Sequence, residues 1–107
     1  MIDKIREAVR FWAASQPLVS EVWLFGSRAK GVSRPGSDVD LAIVISASGE
    51  GVRLAFWIEN ADRWKAELSR QLGLDVSVNH LDWSRSVGIV AEAVRKDGQR
   101  LYLRAGD

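Results

Sequence analysis

The spacing of hydrophobic positions changes character several times along the chain. Ile2, Ile5, Val9 and Trp12 recur at three- and four-residue steps, which predicts an amphipathic helix over residues 2–14. Ser15-Gln16-Pro17 ends it, because proline disfavours helix at the residue before it. A short apolar run within 20–25 and a second, rich in β-branched residues, within 38–45 read as strands. Between them glycine, serine and proline crowd a polar loop in which 27–30 fit a single helical turn and Arg34-Pro35-Gly36 a turn. Leu54, Trp57, Ile58, Ala61, Trp64, Leu68 and Leu72 form one stripe, predicting a long helix over 52–72 with Gly73 as its C-terminal cap. Residues 74–79 alternate cleanly and predict a third strand: Leu74, Val76 and Val78 face a core and Asp75, Ser77 and Asn79 face away from it. A last helix over 84–96, with Val87, Val90, Ala91 and Val94 inside, and a short strand over 100–103 complete the chain.

These elements describe an α+β fold: a mixed sheet of about four strands with helices packed on one face. The 107 residues suit one domain, 1–107. A net charge of +1 argues against general nucleic-acid binding. No apolar run approaches the ~20 residues needed to span a bilayer, and no signal peptide is visible, so a cytoplasmic protein is expected. Without cysteine there is neither a disulfide nor a thiolate metal site. Five tryptophans are many for this length; they either enlarge a small core or cover an interface, in a homo- or hetero-oligomer.

The chemistry concentrates in residues 24–45. On a strand Asp38 and Asp40 point the same way, while Val39 and Leu41 point the other. Paired carboxylates repel each other unless a cation lies between them. Mg²⁺ suits such a pair, because it takes oxygen ligands and fills the rest of its shell with water and phosphate. Gly26 lets the backbone approach a phosphate, the Ser27 hydroxyl can donate to one, and Arg28, Lys30 and Arg34 make the loop basic.

Gly26-Ser27, Gly31 and Ser37-Asp38-Val39-Asp40-Leu41 resemble the GSxxxGxxxxxSDxDL signature of the DNA polymerase β-like nucleotidyltransferases, and most closely their minimal nucleotidyltransferase (MNT) members. The resemblance implies a polymerase β-like fold. It also implies two Mg²⁺ ions held by Asp38, Asp40 and a third carboxylate on the following strand, with ATP or another nucleoside triphosphate as donor. Asp75 is the position for that third carboxylate and Asp82 its competitor. Gly26, Ser27 and Ser37 would serve the nucleotide. Arg28 or Lys30 would neutralise leaving-group charge, unless the loop is simply a solvated basic one. MNT proteins are paired with HEPN toxins, so the resemblance implies an antitoxin that transfers AMP to a toxin tyrosine. The alternatives are an antitoxin that binds without catalysis and a transferase acting on a small molecule such as an aminoglycoside. His80, the single histidine, reads as a surface residue.

Overall fold

The computed structural model describes residues 2–32, 36–85 and 87–105. Its elements are α1 (Ile2–Ala14), β1 (Val19–Phe25), α2 (Ser27–Lys30), β2 (Val39–Ile45), α3 (Glu50–Leu72), β3 (Val76–His80), α4 (Ile89–Asp97) and β4 (Gln99–Leu103). The Arg34-Pro35 half of the expected turn lies outside the described residues.

The four strands form one sheet in the order β3-β2-β1-β4. β1 runs antiparallel to both β2 and β4, and β2 runs parallel to β3, so the sheet is mixed. The parallel pair needs a long crossover, and α3 supplies it. Gly73 closes α3 in the left-handed conformation and donates its N–H to the Ser69 carbonyl at 2.8 Å.

Strand alternation divides the sheet into two faces. Val22 and Leu24 of β1, Val39, Leu41 and Ile43 of β2 and Val76 of β3 pack with Ile5, Val9 and Trp12 of α1 and Trp64 and Leu68 of α3. Trp12 and Trp64 meet edge to face at 5.9 Å, an arrangement aromatic pairs favour. Ala42 and Val44 point the other way, into a smaller cluster with Leu81 and with Ala91 and Val94 of α4, flanked by Trp23, Phe25 and Trp83. The expectation of helices on one face therefore holds for α1 and α3, while α4 covers the opposite face.

Three local expectations change. Leu54 and Ile58 are exposed, Ile58 to 72%; of the expected stripe α3 buries Trp64 and Leu68, and it adds Asn60. Asn60 is tolerated inside because its amide donates to the Phe56 carbonyl at 2.8 Å. Val87 is not inside the last helix but ahead of it and 82% exposed, since Gly88 (φ 130°) stands at the N-terminal end of α4 and the helix starts at Ile89. His80 is half-buried and stacked on Trp57, with ring centroids 5.4 Å apart and planes 11° apart. Burial lowers its pKa and the Arg53 charge lowers it further, against the opposing effect of Asp82. The tryptophans serve the chain's own packing: Trp12 and Trp64 are buried, and Trp23, Trp57 and Trp83 are half-buried against other aromatic rings.

Candidate active site

The site grows out of the β1–α2–β2 unit. β1 ends at Phe25, whose register partner on β2 is Asp40. The chain then turns sharply at Gly26, where φ is 77°. A side chain there would be strained, and its Cβ would stand 2.2 Å from Asp40 Oδ2. Only glycine lets the backbone come so close to this carboxylate. The next four residues form the single turn α2, and Gly31 closes it in the left-handed region. The first N–H groups of such a turn have no acceptor within the helix, so they are open to an anion.

Asp38 immediately precedes β2 and Asp40 is its second residue, with Val39 between them buried on the α1/α3 face. Asp38 is exposed and Asp40 half-buried. Burial raises the pKa of Asp40, and the charge of Asp38 raises it further. The pair is thus an electrostatic deficit that a cation would relieve. An all-oxygen pair of this kind fits a hard divalent ion that takes its remaining ligands from water and a triphosphate.

The basic loop is more committed than its sequence suggests. Arg28 Nη2 donates to the Ser37 carbonyl at 2.7 Å, strapping the loop just before Asp38. Lys30 Nζ lies 3.9 Å from Asp97 at the end of α4, and its side chain is half exposed. Gln99 reaches the Ala29 carbonyl at 3.0 Å, fixing α2 against β4. Gly26 and Lys30 also border an apolar hollow of about 330 Å³, whose far wall is Ile89, Glu92, Ala93 and Lys96 of α4.

The two candidates for a third carboxylate lie at opposite ends of β3. Strand β3 starts at Val76, two residues later than the alternation implies. Asp75 precedes it, gives its carbonyl to the Val39 N–H at 2.9 Å, and lines an open hollow with Ser37, Ser69, Arg70 and Gly73. Asp82 lies past the other end of the strand, with its side chain only 9% exposed. Burial works against its charge, but hydrogen bonds from Arg53 (2.9 Å) and from the Ser84 hydroxyl and N–H, with the Arg53 charge, hold its pKa at about 2. Among the described residues no three His, Cys, Asp or Glu side chains are grouped to hold a metal ion. The Arg28–Ser37 strap and the lock on Asp82 escaped sequence reasoning, because both join residues whose proximity only the folded chain creates.

Comparison with known proteins agrees with this fold. Four solved structures share it. A chain of a toxin–antitoxin complex crystallised with AMP-PNP superposes with a TM-score of 0.64 at 21% identity, over 96% of this chain and 73% of that one. A chain of the tri-AMPylated Shewanella oneidensis HEPN toxin in complex with MNT antitoxin gives 0.59 at 19%, over 96% and 72%. A chain of the MntA-HepT toxin–antitoxin complex gives 0.60 at 19%, over 97% and 74%. A candidate nucleotidyltransferase of Sulfolobus solfataricus gives 0.57 at 28%, over 99% and 83%. No curated protein matches the chain. The family profile described as polymerase beta, nucleotidyltransferase, matches residues 7–106, nearly the whole chain. Members of this superfamily generally work with divalent metals. The protein belongs to the polymerase beta nucleotidyltransferase family.

Proposed function

We propose that this single domain transfers AMP from ATP to a hydroxyl of a protein partner, a tyrosine of a HEPN toxin, and so acts as the antitoxin of a toxin–antitoxin pair. The observation that carries the reading is the Asp38/Asp40 pair beside a glycine turn in which any side chain at Gly26 would collide with the Asp40 carboxylate. The likeness in fold to chains of HEPN–MNT and AMP-PNP complexes supports the choice of partner and donor.

Asp38 and Asp40 would hold the Mg²⁺ ions. Bound there, divalent ions stabilise charge on the attacking and leaving oxygens of an in-line displacement and lower the pKa of the attacking hydroxyl. The chain's own part is positioning. Gly26 and the first amides of α2 receive the β- and γ-phosphates, and the Ser27 hydroxyl donates to them. Arg28 keeps Ser37 and the approach to Asp38 in place through its 2.7 Å bond. Lys30, held loosely by Asp97, can turn toward the leaving pyrophosphate.

The test is incubation with Mg²⁺, α-labelled ATP and the HEPN protein encoded beside this chain, with the Asp38→Ala/Asp40→Ala variant in parallel. Label is expected on the partner with wild type alone. A second reading, neutralisation by contact without catalysis, draws on the observation that no three acidic or histidine side chains are grouped to hold a metal among the described residues. It wins if the double variant still neutralises the toxin fully.

A further inference from the structure

The turn that would receive the phosphates has little of its own to hold it. α2 is a single turn of four residues, and none of them is buried. So short a helix does not persist alone, because its first turn fixes several residues for one hydrogen bond. The carbonyls at its end must also find partners outside the helix. Gly31 and Val32 donate their N–H groups to the carbonyls of Arg28 and Ser27, at 3.3 and 3.0 Å. The Ala29 carbonyl accepts its hydrogen bond from a residue 70 positions away, Gln99, whose Nε2 donates at 3.0 Å.

Gln99 stands on firm ground. It is the first residue of β4, is half-buried, and lies in register with Leu24 near the end of β1. Two residues on, Leu101 is wholly buried in the α1/α3 core, and its carbonyl accepts a hydrogen bond from Arg10 Nε at 2.9 Å. The core thus fixes β4, and the Gln99 amide passes that fixation to α2. The other tie from the α4–β4 corner is Lys30 to Asp97, which is long at 3.9 Å and half exposed. Pairs of that kind contribute little.

We infer that Gln99 is a positioning residue for the triphosphate: by holding the Ala29 carbonyl it sets α2 at the angle at which Gly26 and Ser27 meet the β- and γ-phosphates. This rests on the nucleotidyltransferase reading above, and it adds a residue far from the Gly26–Leu41 motif. Gln99 serves the phosphate side of the site alone. Its hydrogen bond goes to α2 and not to the strand that carries Asp40, so cation binding by the carboxylates does not depend on it. A nucleoside monophosphate, which has no β- or γ-phosphate, gains nothing from it.

The experiment compares ligands rather than transfer rates. N-methylanthraniloyl ATP and N-methylanthraniloyl AMP, each with Mg²⁺, are titrated by fluorescence into wild type and into Gln99→Met, which keeps the length of the side chain and removes the donor. Mn²⁺ alone is titrated into both by its paramagnetism. Gln99→Met is expected to bind the ATP probe about fivefold more weakly, the worth of one hydrogen bond. It is expected to bind the AMP probe and Mn²⁺ as wild type does, which also shows that it is folded. Equal affinity of the two proteins for the ATP probe, or an equal loss for ATP and AMP, overturns the inference. The expected ATP-specific loss, in a protein whose wild type labels no partner, leaves Gln99 in its role and removes the proposed acceptor instead. A wild type that binds no ATP probe overturns the nucleotidyltransferase reading and the inference with it.

Discussion

On the face of the sheet covered by α1 and α3, Val22, Leu24, Leu41 and Ile43 are wholly shut off from solvent, and two tryptophans fill the space between the helices. On the face covered by α4 the same strands present Ala42 and Val44, and the cover is a nine-residue helix with two buried side chains. The first face is dry and large, and it sets the register of the strands. The second is shallow, and it leaves Asp40 half open at the start of β2. One strand serves both: Val39, Leu41 and Ile43 fix β2 from behind, so that Asp38 and Asp40 are aimed without having to stabilise anything. If this division is right, changes on the open face should strike activity and spare the fold, and changes on the dry face should do the reverse.

The largest separation is expected at Asp40. Asp40→Ala should lower AMP transfer on the order of a thousandfold, comparable to removing a central electrostatic group from an active site. Its urea midpoint should stay at or above that of wild type, because a raised-pKa carboxylate beside a like charge is lost. Coupled loss of activity and stability would break the comparison. On the dry face, Trp64→Ala empties the centre of the α1/α3 core and should cost about 3–5 kcal/mol in urea unfolding. At a temperature where the variant remains folded, transfer should persist.

Which parts were legible in the sequence follows from the same division. The β1–α2–β2 unit could be read because its signals are local: the apolar runs, the glycine that must follow Phe25 and the alternation that pairs Asp38 with Asp40. The α3 stripe was half legible. Trp64 and Leu68 meet the sheet, but Leu54 and Ile58 sit on turns left exposed in the chain, and periodicity cannot tell which turns of a helix have something to cover. The third carboxylate is less legible for a related reason. Alternation gives Asp75, Ser77 and Asn79 one face, but which of them stands beside which member of the Asp38/Asp40 pair is decided by register, and register belongs to two strands at once. Val87 was assigned to a helix interior because its spacing fits; Gly88, standing just ahead of the helix, leaves it outside.

A smaller effect is expected at the seam between the faces, where Asp82 ties the segment after β3 to Arg53 in the first turns of α3. Asp82→Asn should cost about 2 kcal/mol at neutral pH, the range for a hydrogen bond to a charged group. The carboxyl is held at about 2, below its ordinary 3.8. Wild type's advantage is thus full above that ordinary value and lost as pH falls through about 2. Urea midpoints of both proteins across this acid range check it. A difference that persists unchanged below pH 2 would assign the effect to packing rather than to charge.

The smallest effect tests the open face by its own electrostatics. Asp40 ionises less readily in the folded chain than in the unfolded one, because of burial first and the Asp38 charge second. A raised carboxylate pKa means that the folded state holds the proton more tightly. The cost to stability is therefore absent at acid pH, below the ordinary carboxylate value, and present once pH exceeds the folded value. Asp38→Asn removes the second cause. It should raise stability at pH 7 by a few tenths of a kcal/mol, since solvent screens a pair this open, with no gain below about pH 3. Mg²⁺ should invert the order: wild type, which keeps both carboxylates, should gain thermal stability on adding the ion, and Asp38→Asn should gain less. Differential scanning fluorimetry with and without Mg²⁺ reads both signs. If the variant and wild type respond alike to the ion, Asp38 is not one of its ligands, and the open face must hold its cation through Asp40 without it.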